Sequence, residues 1–252
     1  MNKNPKNNKS NSDDKIDMFG RKLPKRFYNQ VSVVKSPNGY TVELDGRSIK
    51  TPAKNLLEVE SENIAQAIAG DWERQAEFID LETMYTAKVA NTAIDHIAPA
   101  PDVVIKEMCD YAGSDLLCYR ALEPLSLVQC QNDSWDAVLT WLDKTHGVQL
   151  ILIGGVMHQP QPAEAIQKIA KNLNTRSAIM LAAMHNMTTL TGSLVLSLAV
   201  ADGYLDAQKA WACTHVDEDW QIEQWGPDED AAASRERRWL EMEKTANLMA
   251  LL

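Results

Sequence analysis

The stretch MLAAMHNMTTLTGSLVLSLAV, residues 180–200, is the most apolar in the chain, and any fold must bury it. His185, Asn186, Thr188, Thr189, Thr191 and Ser193 interrupt it. That is too polar for a membrane span, which needs about 20 consecutive, predominantly apolar residues. It reads instead as a helix or helix pair inside a protein core. Ser193 follows Gly192 within it, where a hydroxyl bonds back to its own helix more readily than it attacks a substrate. At 252 residues the chain is long enough to build such a core, as one large domain or two small ones.

Before this stretch the pattern is β-rich. QVSVV, YTVEL and SIKTP are short extended runs, and in the second Tyr40, Val42 and Leu44 alternate onto one face. Asn38-Gly39 and Asp45-Gly46 tolerate the positive φ angles of tight hairpins. LLEVE (56–60) adds a further strand. One face of this antiparallel meander needs cover. Ser61 caps a helix that turns Ile64, Ile68 and Trp72 to one side, and a second helix brings Ala87, Ala90, Ala93, Ile94 and Ile97 inward. APAPD (98–102) breaks the chain there. The expected fold class is α+β, with an N-terminal antiparallel sheet and covering helices over 25–100. A mainly α-helical bundle domain follows over 101–252.

Within the second part, Asp133 or Ser134 caps a helix carrying Trp135, Val138, Leu139 and Leu142 and ending before Gly147. VQLILIGGV (148–156) is extended, either rejoining the N-terminal sheet or forming a short ribbon between helices. Pro162 suits the first turn of a helix with Ile166, Ile169 and Leu173. Asp206 opens another that runs through Trp211 and Trp220.

Charge is unevenly placed. Residues 1–26 hold eight Lys/Arg against three Asp/Glu, so with a net charge of −10 the remaining body carries −15. Such a body repels nucleic acid and anionic membranes and favours basic partners. MNKNPKNNKSNSDDKID lacks the apolar centre of a signal peptide and the Arg-rich, acid-poor character of a mitochondrial presequence, so 1–24 reads as a disordered polar tail. The four cysteines (109, 118, 130, 213) show no C-x-x-C spacing and are too few for a disulfide scaffold. They read as reduced thiols in a reducing compartment, for which a bacterial cytoplasm is expected over a mitochondrial matrix.

Several chemistries have no motif in the chain. It contains no Gly-Lys dipeptide for a P-loop, no G-x-G-x-x-G, no H-E-x-x-H and no G-x-S-x-G. Gly154-Gly155 is better read as a backbone turn than as a phosphate cradle. His215 with Asp217 and Glu218 is the only local set resembling metal ligands, and no second histidine stands near it. No metal or cofactor is expected.

DEDWQIEQWGPDED (217–230) concentrates seven carboxylates and two tryptophans in fourteen positions. Gly226-Pro227 divides it. Asp228, Glu229 and Asp230 open the last helix, where carboxylates oppose the positive end of the dipole, and Arg235, Arg237 and Arg238 follow within pairing distance. In that helix Trp239, Met242, Ala246 and Met249 form the stripe of a docked face. Asp217, Glu218, Asp219 and Glu223 fall instead in the C-terminal half of the helix from Asp206, where the dipole disfavours them, so either a cation or a basic partner surface compensates, or the stretch is simply a solvated acidic helix end. Glu223 lies one turn from Trp220, and an aromatic anchor beside a charge has the composition of an interaction hot spot. The candidate partner-binding residues are therefore Glu223, Trp220, Asp217, Glu218 and Trp225.

Taken together, these motifs carry a resemblance. KRFY (25–28), LDGRSIKTPAKN (44–55), DWERQ (71–75), MYTAKVANTAID (84–95), YAGSDLLCYRA (111–121), WDAVLTW (135–141), TGSLVLSLAV (191–200) and DEDWQIEQWGPDED occur in the order and spacing of the ATP12 family, chaperones of F1 ATP synthase assembly. Tyr85 and Lys88 depart from the family's usual Pro and Arg. The resemblance implies an α+β N-terminal domain, a helical C-terminal bundle and no catalytic reaction. It implies binding of the free F1 α subunit, with release when the β subunit arrives. It places the family's functional acid on Glu223, and gives Trp72 and the Asp45-Gly46 turn structural roles. A monomer when free is expected, with no nucleic-acid partner and no membrane insertion. Two rivals stand beside this reading. One is a hydrolase using Glu223 with Asp217 or Glu218, which needs carboxyls roughly 5–10 Å apart across a cleft. The other is a scaffold for a different client.

Overall fold

The computed structural model of the chain describes residues 15–16 and 20–252. Most of the expected tail lies outside the described residues. Within them, pairing begins before Lys25: Ile16 bridges Lys22, and Arg21 Nη2 stands 3.2 Å from Glu82.

Alternation builds the sheet. Strands β1 (Val31–Ser36) and β2 (Gly39–Leu44) form an antiparallel hairpin, with β3 (Arg47–Ser48) and β4 (Glu58–Val59) both antiparallel to β2. Val42 and Leu44 are buried and Tyr40 is half-buried, as the alternation predicts. Asp45 (φ +48°) and Gly46 (φ +76°) make the two-residue turn into β3. The first hairpin differs from expectation. Ser36 pairs with Gly39, so Pro37-Asn38 forms its centre. Gly39 serves close approach instead: a Cβ there would stand 2.2 Å from the Val59 carbonyl oxygen of β4.

Helix α1 (Glu62–Glu73) lays Ile64 and Ile68 on the sheet with Trp72 half-buried, and α2 (Tyr85–Thr92) continues through a π-type segment, Ala93–Ile97. Helix α3 (Pro101–Gly113) leads to a 3-10 turn and to β5 (Tyr119–Arg120). Helix α4 (Leu125–His146) starts well before the expected Asp133 or Ser134 cap, because partly buried Val128 and buried Gln131 continue its inward face back towards Pro124. Asp133 is mid-helix, accepting from Gln129 at 2.7 Å, and the predicted stop at Gly147 is met by a left-handed C-cap (φ +63°). The extended segment makes β6 (Ile153–Gly154), which pairs parallel with β5 as a separate two-stranded ribbon. Helix α5 (Ala163–Leu173) follows Pro162.

The apolar stretch is a helix pair, α6 (Ala178–Thr191) and α7 (Leu194–Ala201), turned at Gly192 (φ +69°) and capped by Ser193 Oγ, which accepts from the Leu196 amide. Helix α6 packs on α2, α3, α7 and the last helix, so one hydrophobic core runs from the sheet to the C-terminus. All four cysteines are free thiols. Cys118 and Cys213 are buried, and burial pushes Cys118 up to about 12.

Carboxylates staple the segments together. Asp45 accepts from the Asn29 and Gln30 amides (3.1 and 2.8 Å), and Asp71 accepts from the Ala87 amide (2.9 Å) while paired with Arg74. Asp95 holds Thr51, Ala53 and Asn55 of one loop at 2.6–3.0 Å. Asp115 is fully buried at the α6–α7 turn. It accepts from Ser193 Oγ (2.7 Å) and from the amides of Val195 (3.0 Å) and Leu117 (3.1 Å). Burial outweighs these bonds and raises its carboxyl from 3.8 to about 6. The folded chain thus holds this proton more tightly than the unfolded chain between those values. The group therefore lowers stability as pH rises through that window, with the full effect above pH 6. Asp115→Asn should remove this slope from urea-unfolding midpoints measured between pH 4 and 7. At pH 7 it should lose on the order of 2 kcal/mol, because an amide NH2 would face backbone donors.

Candidate functional site

The acidic stretch folds as two helices that part from a common corner. Helix α8 (Ala207–Thr214) is capped by Asp206, which accepts from the Lys209 amide, and it ends where expectation had it continue. His215 leaves the helical region (φ −110°, ψ 17°), and its ring lies tilted on Trp211 at 4.2 Å with Nδ1 2.8 Å from the Trp211 carbonyl. Burial pushes this imidazole below its usual value. Helix α9 (Val216–Trp225) then starts afresh. Asp217, Glu218 and Asp219 occupy its first turn, so the dipole favours three of the four acids expected to be disfavoured. Only Glu223 remains near a C-terminal end.

Two of these carboxylates hold the fold. Asp217 Oδ1 accepts from Gln131 Nε2 of α4 at 2.7 Å. Asp219 takes a bidentate pair from Arg235, with Nη2 to Oδ2 at 3.2 Å. Glu218 is half shared, 3.5 Å from His215 Nε2 and 3.9 Å from Arg235 Nη1. Arg235 was expected to pair within its own helix, but its partners lie across on α9. Arg238 bonds the Leu190 carbonyl and sits over Trp211. Both choices follow from tertiary packing, which brings α9 and α6 closer to these guanidinium groups than the helix's own first turn.

The aromatic pair has a different character. Trp220 donates Nε1–H to Ser126 Oγ of α4 at 3.1 Å, and Trp225 stands edge-on to it at 5.6 Å with 75% of its surface exposed. Glu223, one turn beyond Trp220, is exposed. Gly226 (φ +88°, ψ 166°) and Pro227 turn the chain into α10 (Glu229–Met249), whose N-cap Asp228 accepts from the Ala231 amide at 2.8 Å. As the apolar stripe predicts, Met242 and Met249 are buried, with Trp239 and Ala246 packed beside them.

Between α9 and α10 opens a cleft of about 510 Å3. Ile222 and Trp225 line it from one side and Ala231, Ala232 and Trp239 from the other, with Glu218, Asp228 and Glu236 and the single cation Arg235 around them. The arrangement can grip apolar side chains while attracting a cation. Glu223, Trp220 and Asp217 do not line it. The structure thus brings Glu218 and Trp225 together in the cleft and leaves Glu223 on the neighbouring surface. The contribution of α10 was not read from the sequence, since alanines in a charged helix give no periodic signal. Elsewhere, Trp72 meets Tyr28 edge-on at 5.7 Å, and the Tyr28 hydroxyl donates to the Trp72 carbonyl at 2.7 Å.

Comparison with known proteins agrees with this architecture. A family profile described as "ATP12 chaperone protein" matches residues 25–143. The crystal structure of Atp12 from Paracoccus denitrificans is 36% identical, with a TM-score of 0.85, covering 90% of this chain and 98% of that one. The Atu1473 protein of Agrobacterium tumefaciens is 43% identical, with a TM-score of 0.87, covering 90% and 86%. "Protein atp12, mitochondrial" of Schizosaccharomyces pombe is 23% identical over 219 residues, 82% of this chain and 75% of the relative. These relatives define a class of chaperone, built as a sheet-and-helix half joined to a helical half. The chain belongs to the ATP12 family.

The corner between α9 and α10 sets the cleft's width. Gly226 occupies a backbone region that is essentially glycine-only, yet a Cβ there would meet nothing within 4 Å. Gly226→Ala should therefore cost about 1–3 kcal/mol in a denaturant titration, entirely from backbone strain. A neutral result would show that the corner can relax.

Proposed function

We propose that the chain is an ATP-independent assembly chaperone that binds the free α subunit of F1 ATP synthase, shields its apolar interface and releases it to the β subunit. Membership of the ATP12 family supports this reading. The observation that carries it is the α9–α10 cleft, where an exposed Trp225 and apolar walls sit beside three carboxylates, Glu218, Asp228 and Glu236, against one cation, Arg235. An orphan F1 α subunit exposes the apolar surface meant for β, and contiguous apolar surface of that kind aggregates. The sequence offers no nucleotide motif to drive a cycle, so the chaperone works by occupancy. An interface near 1,600 Å2 spans μM to pM affinity, and release needs only that β bind α more tightly. Trp225 and Trp220 provide grip. Glu223 and the nearby acids, Glu218 among them, steer a basic patch on the client into register.

The hydrolase reading would need Glu223 to face a partner carboxyl across a cleft, and Glu223 stands outside the one described here. Among the described residues no helix is long and apolar enough to cross a membrane. We place the protein in a bacterial cytoplasm. The two bacterial neighbours are more alike in sequence than the mitochondrial relative, and four free thiols suit a reducing compartment.

Co-expression with F1 α alone tests the reading. The α subunit should stay in the supernatant and co-purify, whereas equal precipitation with and without the chain would end it. Trp225→Ala should weaken α binding at least about tenfold, as loss of an aromatic hot spot does. Glu223→Gln should slow association and reduce its salt dependence. Unchanged binding and F1 assembly would remove Glu223 from the mechanism.

A further inference from the structure

We propose that the β5–β6 ribbon is an open β-edge that takes an extended apolar segment of the client as its third strand. The identity of the client rests on the function proposed above; the edge itself is a separate surface from the α9–α10 cleft.

In the parallel register, Tyr119 sits beside Ile153 and Arg120 beside Gly154, and the Gly155 amide donates to the Arg120 carbonyl at 2.9 Å. Strand alternation then directs the backbone groups of Leu152 and Gly154 away from β5. Gln161 satisfies both backbone groups of Ile151, at 2.7 and 2.9 Å, and does nothing for Leu152. Among the described residues no other strand covers this side. The side chains flanking the edge are apolar and open to solvent: Val156 is 92% exposed, Met157 77% and Leu152 50%. Leu122 lies against Gly154, whose added Cβ would come within 2.8 Å of it, and is itself 70% exposed.

Natural sheet edges are protected by charge, proline or cover. Here no Asp, Glu, Lys or Arg occurs between Lys144 and Glu164. An uncharged, apolar, unpaired edge is a template for another strand, and β-augmentation uses it by joining main-chain bonds to side-chain pockets. The chain's own net charge of −10 opposes a second copy as occupant. A client segment without negative charge meets no such barrier. The ribbon also adjoins the proposed client site: the Ala121 amide, next after β5, donates to Gln131 Oε1 at 2.8 Å, and Gln131 in turn donates to Asp217 of α9 at 2.7 Å. One client could therefore engage cleft and edge together.

Amide hydrogen exchange on the full chain, with and without purified F1 α, tests this directly. The Leu152 and Gly154 amides should slow at least tenfold when α is bound, and Val156→Lys with Met157→Lys should weaken α capture about tenfold. If α is held but these amides exchange as before and the double variant captures normally, the edge proposal fails and the client reading stands. If α is not held at all, the client reading fails and takes this occupant with it. Protection that appears without α as the chain is concentrated would identify a second copy in the edge and overturn the proposal.

Discussion

The buried carboxylate of Asp115 is the constraint on which the rest of this structure hangs. It reaches across from the end of α3 to the amides at the start of α7, while the Leu116 amide bonds the Gly192 carbonyl beside it. This clamp fixes the turn between α6 and α7, the two most apolar helices. It also fixes where the chain departs for β5 and α4. From α4 the order passes to α8 through Trp135, which donates to the Cys213 carbonyl at 2.8 Å, and to α9 through two contacts, Gln131 with Asp217 and Ser126 with Trp220. A fully buried ion tolerates little rearrangement, because every lost donor leaves the charge exposed to a low dielectric. The position of the candidate site is therefore set by a group far from it in sequence.

The same device recurs along the chain. Asp45, Asp71, Asp95 and Asp217 each accept hydrogen bonds from a segment distant in sequence. Most of these bonds come from backbone amides, which a carboxylate satisfies better than a neutral acceptor does. These carboxylates therefore have structural work inside the protein and need no partner to explain them. It also separates the acids by role. Asp217 and Asp219 are committed to internal partners, whereas Glu223, Asp228 and Glu236 stand exposed around the end of α9 and the start of α10. On the proposed function that division has a use: the committed charges fix α9 against its neighbours, and the exposed ones are left to orient a client.

Two surfaces then stand out for a chaperone. The cleft offers aromatic and aliphatic walls with negative charge beside them, and the β5–β6 ribbon offers backbone groups flanked by apolar side chains. They join through Gln131 of α4, which accepts from the Ala121 amide beside β5 and donates to Asp217 of α9. On the proposed function, a client presenting both a basic patch and an unpaired strand would be held in one orientation.

Short-range pattern determined much of this protein. The alternation of Tyr40, Val42 and Leu44, the left-handed turn at Asp45-Gly46, the stop at Gly147 and the stripe from Trp239 to Met249 are all local consequences of side-chain period and backbone sterics. They were legible in the sequence for that reason, and so was the family, through ordered motifs. What the sequence could not show depended on long-range competition. His215 breaks what reads as one helix because its ring is held against Trp211 inside the core, and that break moves Asp217, Glu218 and Asp219 from the unfavourable end of one helix to the favourable end of another. Arg235 chose Asp219 over the acids of its own first turn because packing placed α9 closer. The cleft and the open edge arise from surfaces that meet only after folding. No periodicity records them, because each is made from residues that are unremarkable in their own segments and become a site only when tertiary structure leaves them uncovered.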